Sequence, residues 1–248
     1  MPTGFLAVWA NTGPQVTVDE FSDWYDNEHV PLRTALPTFL SAARFSPLKP
    51  SPARSSSAPH PEWLALYDVV DPSVFQDPTY TTLRANRSPR EADVVSRTAL
   101  LDRRMYEYVG EAGASGPYGF GAGGGAKVGC VITQGFDSDD AVKVEGWLKG
   151  LESAAEEARA DDWIRSRVFQ CVDAGRNGTS VKQGEPQVFP KYLVVHEFSA
   201  PTIYTTTNAL KPAVQKILRV QPDQVKYVDD EDTFWVVHHI WETVSHNA

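Results

Sequence analysis

The sequence predicts an α+β protein built as two tandem ferredoxin-like βαββαβ halves, whose antiparallel sheets face each other to form a pseudo-dimeric α+β barrel. Three observations carry this. Strand-like runs and helical stretches follow the same order twice along the chain. The repeat shows in the letters too: WLALYDVVDP (63–72) lies over YLVVHEFSAP (192–201), and each is followed by YTT (80–82 and 204–206). Finally, a sheet with helices on one face leaves its other face bare and apolar, and the simplest cover is the other half, with the helices outside.

The first half, 1–114, has its strands at FLAVWAN (5–11), FLSAARFSPL (39–48), WLALYDVV (63–70) and RRMYEYVG (103–110). One helix lies between the first two strands and another between the last two. The segment SPLKPSPARSSSAPHPE (46–62), rich in Pro and Ser, reads as a loop or partly disordered insertion. Residues 115–126 form a Gly-rich linker. Gly119, Gly121 and Gly124 satisfy G-x-G-x-x-G, but a dinucleotide fingerprint follows a strand and opens a helix, and this run precedes a strand. The second half, 127–248, places strands at VGCVITQGF (128–136), WIRSRVFQCV (163–172), YLVVHEFS (192–199) and TFWVVHHIW (233–241). Its helices are expected over 139–160 and 202–218.

Composition narrows the function classes. With 248 residues, 42% of them hydrophobic, the chain can bury a sizeable core. A net charge of −9 and the absence of a Lys/Arg cluster argue against nucleic-acid binding. The start MPTGFLAVWANTG lacks a basic leader, and no stretch approaches 18 apolar residues, so the expectation is a cytoplasmic protein that avoids membranes. Cys130 and Cys171 lie in apolar runs on strands that are not neighbours in a ferredoxin-like sheet, which predicts reduced thiols. The adjacent His238 and His239 point to opposite faces of a strand and cannot share a metal, and no HExxH or paired CxxC occurs, so no metal site is expected. No G-x-S-x-G elbow appears either.

The richest chemistry sits in DWYDNEHVPLR (23–33). Thr17 and Glu20 form a capping box at the helix start, and Val16 can staple onto Phe21. From there Phe21, Trp24, Tyr25, His29 and Leu32 share the inward stripe, while Asp23, Asn27 and Arg33 fall to the sides or solvent. Asp26, three residues before His29, is the expected hydrogen-bond partner of the imidazole. Pro31 has no N–H and should push Val30 out of helical geometry, ending or kinking the helix at His29. An imidazole at such a helix end suits proton transfer; a histidine that merely packs in the core is the alternative.

Other polar candidates follow from strand alternation. Tyr67 corresponds by the repeat to His196, and Asp68 to Glu197; one member of each pair faces the barrel interior and the other the helices. Arg104, Tyr106 and Tyr108 share a face, where a buried guanidinium would mark an anion or enolate site.

The stretches WYDNEHVP, WLALYDVVDP and RRMYEYV resemble the EthD-domain branch of the dimeric α+β barrel superfamily, most clearly in the first half. The resemblance implies a single-chain pseudo-dimer enclosing a small-molecule cavity and working without a cofactor. Members of the superfamily include isomerases, decarboxylases, dehydratases, cyclases and oxygenases acting on aromatic and polyketide-like compounds. It implies that the histidine of H-x-P, here His29, is the acid/base. The corresponding helix of the second half, DAVKVEGWLKGLESAAEEARADDW, has no histidine and no following proline, so one barrel end is expected to have lost or changed the site.

These readings converge on a cofactor-independent lyase or isomerase for an aromatic or polyketide-derived molecule of secondary metabolism. His29, Asp26 and Tyr67 are its expected catalytic residues, and Trp24, Tyr25, Arg104, Tyr106 and His196 hold substrate. A cofactor-free monooxygenase of phenols and a non-catalytic, stress-associated ligand carrier are the alternatives. The chain is expected to be a monomer or weak homodimer.

Overall fold

The computed structural model describes residues 2–48, 61–113, 119–121, 127–138, 141–200, 203, 210–220, 226–227 and 233–241. Most of the Pro/Ser insertion, most of the Gly-rich segment, the second YTT and the start of the helix expected at 202 lie outside the described residues.

In chain order the elements are β1 (Gly4–Asn11), α1 (Val18–Trp24), a π-turn (Tyr25–His29), α2 (Val30–Thr34), β2 (Phe39–Pro47) and β3 (Trp63–Val69). A short 3-10 turn (Pro72–Gln76), α3 (Pro78–Ala85), α4 (Pro89–Arg97) and β4 (Leu100–Gly113) follow. Then come β5 (Cys130–Asp137), α5 (Ala141–Ala158), β6 (Trp163–Asn177), β7 (Tyr192–Phe198), α6 (Pro212–Arg219), β8 (Lys226–Tyr227) and β9 (Thr233–Trp241). The second helix of the first half is thus two short helices. Each begins at a proline, where the missing N–H costs nothing, behind a side-chain cap from Asp77 or Ser88.

Strand pairing runs β7-β6-β4-β1-β3-β2-β9-β5, and β5 pairs back onto β7, so eight antiparallel strands close a barrel; β8 adds two residues beside β5. Within each half the strand order is the same, β4-β1-β3-β2 and β9-β5-β7-β6. The seams are β2 with β9 and the long ladder of β4 with β6. Closure leaves no bare sheet edge between the halves.

Alternation sorts each strand between two cores. Phe5, Ala7, Trp9, Leu64, Leu66, Tyr106, Phe169, Leu193, Val195 and Trp235 fill the barrel, with Phe5 stacked on Phe169 at 4.0 Å. Their neighbours in sequence point outward beneath helices: Leu6, Val8, Ala65, Tyr67 and Met105 in the first half, Ile132, Val168 and Val194 in the second. Asp68 and Glu197 face inward and are bridged by Arg167, whose Nη1 lies 2.5 Å from Asp68 and whose Nε lies 2.6 Å from Glu197. Arg165 adds a second contact to Glu197 at 2.9 Å. The void beside this network measures only about 10 Å³. Among the described residues the barrel interior is therefore a packed core. Both cysteines are free.

Candidate functional site

The helix that carries His29 starts as its sequence predicts and then departs from it. Thr17 caps α1 by accepting the Glu20 N–H at 3.1 Å, and Val16 and Phe21 are both buried. Glu20 does not reach back to complete the box; its carboxylate turns to Arg97 of α4 at 2.5 Å, tying the two helices together. Phe21, Trp24, Tyr25 and Val30 are fully buried against the sheet, each contributing about 1.5–3 kcal/mol of apolar burial.

Pro31 neither ends the helix nor displaces Val30, which stays helical at φ −69°, ψ −46°. The chain instead widens: the Val30 N–H donates to the Tyr25 carbonyl five residues back. A π-turn tolerates the missing proline donor by skipping one residue in the ladder, and such bulges gather at functional sites. The widening also re-aims the side chains. Three residues no longer complete a turn, so Asp26 leaves the His29 face, while Trp24 and Tyr25 pack on the imidazole at 4.7 and 4.6 Å.

Asp26 therefore does not orient His29. It lies 2.8 Å from Arg44, a buried guanidinium stacked on Trp63 at 4.3 Å. The partner of His29 is Glu91, in the first turn of α4, whose Oε1 is 2.8 Å from the imidazole Nδ1. Ser88 caps α4 and receives the Glu91 N–H at 3.0 Å, which holds the carboxylate at the positive helix end. Arg33, expected toward solvent, is buried; its Nη1 donates to the His29 carbonyl at 2.7 Å and its Nη2 lies 3.7 Å from Glu91.

The electrostatics assign protons. Burial, aided by the nearby Arg33 charge, pushes the His29 imidazole down to about 3, overriding the pull of Glu91. Burial acts to raise Glu91, but its hydrogen bond to His29 and the Arg33 and Arg87 cations hold it below the ordinary carboxylate value. Near neutral pH the pair is thus a neutral imidazole beside a carboxylate. Nδ1–H donates to Glu91, and Nε2 carries the lone pair with no protein partner among the described residues.

His29 lines a cavity of about 370 Å³ between the outer face of the first-half sheet and its helices. Leu6, Val8 and Tyr67 form the floor, with Trp24, Tyr25 and His29 above them. Tyr80, Arg84, Arg87 and Glu91 come from the α3–α4 side, Leu101 and Arg103 from β4, and Asn177 from the end of β6. The Tyr67 hydroxyl donates to that of Tyr25 at 3.3 Å, and burial raises both phenols, so both are protonated donors. Arg103 donates to the Tyr80 hydroxyl from Nε and Nη2 at 3.1 and 2.9 Å. Asn177 is delivered from the second half because Gly178, at φ +137°, lets the chain lie against Ala99, where any Cβ would stand 2.2 Å from its carbonyl.

Of the residues predicted from sequence, Trp24, Tyr25, His29 and Tyr67 meet in this cavity. Arg104 and Tyr106 do not: they point into the barrel, Arg104 stacked on Trp9 at 4.5 Å and 2.7 Å from Asp102. The register explains why. Leu6 pairs with both Tyr67 and Met105, so the β4 residues that share the Tyr67 face are 103 and 105, never 104 and 106. His196 lies under the helices of the second half, its Nδ1 2.7 Å from the Ser166 hydroxyl and its Nε2 2.9 Å from Gln134 Oε1. Glu91, Arg33, Tyr80 and Arg103 escaped the sequence reading. Ser88 to Glu91 does spell a capping box, but nothing local says which helix it will face.

No protein-family model matches the chain, and no curated protein matches it significantly. Solved structures do. An anthrone oxidase-like protein superposes with a TM-score of 0.54 at 10% identity, over 98% of this chain and 94% of that one. The two chains share a fold, an antiparallel barrel with helices on its outside. A candidate monooxygenase from Fusobacterium nucleatum aligns at a TM-score of 0.45 and 7% identity, over 97% and 94% of the two chains. A heme-binding protein from Thermus thermophilus aligns at 0.43 and 11%, over 95% and 90%. At such identities the likeness speaks to fold and not to chemistry. Among the described residues no helix is long and apolar enough to cross a membrane.

Proposed function

We propose that this chain is a small-molecule enzyme of the EthD-like type, a cofactor-independent lyase or isomerase that moves protons with His29 on an aromatic or polyketide-derived substrate. The observation that carries the reading is the His29–Glu91 pair, with its free Nε2 at the wall of an aromatic cavity. The substrate lies among Trp24, Tyr25 and Tyr67. Neutral His29 takes a proton from a carbon next to a carbonyl, and the imidazolium so formed is balanced by Glu91, in the role the sequence suggested for Asp26. The electron pair moves onto the carbonyl oxygen, where the Tyr25 hydroxyl, which itself accepts the Tyr67 O–H, donates a hydrogen bond. Returning the proton to another carbon completes an isomerisation, delivering it to a departing hydroxyl completes a dehydration, and attack of the carbanion on a second carbonyl closes a ring.

On this reading 1–114 and 127–248 are tandem copies of one unit joined by the Gly-rich 115–126, a pseudo-dimer in one cytoplasmic chain, with the site kept in the first copy. The shared strand order of the halves supports it. A second reading has its own support: a neutral base beside cationic side chains is also what deprotonates a phenol and holds the phenolate for reaction with oxygen. Turnover of anthrones, hydroxynaphthoates and aryl β-keto acids, followed by absorbance and dissolved oxygen together, separates the two. His29→Ala is expected to lower the rate about 10²–10⁴-fold in either case. Full turnover by that variant removes His29 as the acid/base, whereas binding of these compounds without any turnover by the wild type leaves the ligand-carrier alternative.

A further inference from the structure

The cavity is lopsided in charge. Arg33, Arg84, Arg87 and Arg103 line it against a single carboxylate, Glu91, in a protein whose net charge is −9. Arg33 is already committed to the His29 carbonyl and Glu91. Arg103 is different. The buried arginines among the described residues, Arg33, Arg44, Arg104, Arg165 and Arg167, each lie within 4 Å of a carboxylate. Half-buried Arg103 has no carboxylate within 4 Å: the Tyr80 hydroxyl, the Met105 sulfur at 2.9 Å, and the Phe75 and Tyr80 rings, each 5.5 Å from its Cζ, are its contacts, and Asp173 acts on it only from farther off. Its Nη1 has no protein partner among the described residues. Arg84 and Arg87 are exposed on the α3–α4 side of the same cavity, where Arg87 lies near enough to Glu91 to act on its charge.

A guanidinium kept half out of water without a counter-ion in contact is costly, and its fork matches a carboxylate well. We infer that the natural ligand is an aromatic carboxylic acid, its ring among Trp24, Tyr25 and Tyr67 and its carboxylate on Arg103 and the Tyr80 hydroxyl, with Arg84 and Arg87 steering it in. This rests on the proposed cavity function and adds to it the charge of the substrate and the end by which it is held.

Calorimetric titration with 1-naphthoate and its neutral isostere 1-naphthamide tests this directly. The acid is expected to bind at least tenfold tighter than the amide at pH 7, with a preference that shrinks as salt is added. Arg103→Gln should bring the two within about twofold, Arg103→Lys should retain part of the gap, and a thermal melt on each variant shows that it is folded. Equal binding of acid and amide, an unchanged preference in Arg103→Gln, or no binding of either probe overturns the inference. It fails separately from the acid/base reading: an Arg103-dependent preference for the acid in a protein whose turnover ignores His29 keeps this inference and removes the other.

Discussion

The two helix-covered faces of the barrel start from the same plan and end differently. Tyr67 and His196 occupy the same place, the fifth residue of β3 and of β7, and both point beneath helices. Above Tyr67 runs a helix interrupted by a π-turn, and space remains. Above His196 runs α5, 18 residues without a break, which drives Val144, Trp147, Leu148 and Leu151 into the sheet. Trp147 meets Phe136 edge-on at 5.3 Å and donates its indole N–H to the Val220 carbonyl at 2.7 Å. His196 is then spent on structure, with both nitrogens satisfied by Ser166 and Gln134. A buried histidine is thus no sign of function by itself. What distinguishes His29 is a charged partner on one nitrogen and open space at the other.

The sharpest way to break this contrast is to remove each histidine. His29→Ala should abolish most turnover, about 10³-fold, whereas His196→Ala should leave turnover alone and cost about 1–3 kcal/mol of stability by orphaning Ser166 and Gln134. Equal effects on rate would show that the second face also takes part. Next in size is Trp147→Ala. It should cost about 3–5 kcal/mol in chemical denaturation and open a void under α5 that binds small apolar molecules; a smaller loss would mean that α5 collapses onto the gap.

A pH titration of stability sharpens the comparison further. Burial pushes both His29 and His196 down to about 3, so below pH 6.5 the unfolded chain binds two protons that the folded chain refuses. Stability is therefore full above that pH and falls as pH drops toward 3, by about 1.4 kcal/mol per unit for each histidine. His196→Gln should remove half of that slope between pH 6 and 5. A wild-type curve with half that slope would mean that one of the two imidazoles already carries its proton when folded, and a flat curve that both do.

Much of this was legible in the letters. The WLALYDVVDP and YLVVHEFSAP stretches do form strands, β3 and β7, and alternation set Tyr67 and Asp68 on opposite sides of one strand. The helical stripe gathered Trp24, Tyr25 and His29. Asp26 was misread because a regular helix was assumed, and one skipped hydrogen bond rotates a side chain off its face. Arg104 and Tyr106 were misread because alternation says which residues share a side but not which side, until the register with β1 is known.

By itself, the sequence determined what depends on neighbours along the chain: strand and helix order, the cap at Thr17, the proline that perturbs the helix, and the apolar stripes that demand a core. Only the tertiary structure decided what depends on neighbours in space. It put the ligand-sized void beneath the helices and not in the barrel, because the aromatic residues of both halves fill the interior. It also brought Glu91 to His29 across 62 positions of chain. That meeting requires α4 to pack on α1, and packing partners are chosen by the shape of the whole sheet, which no local pattern encodes.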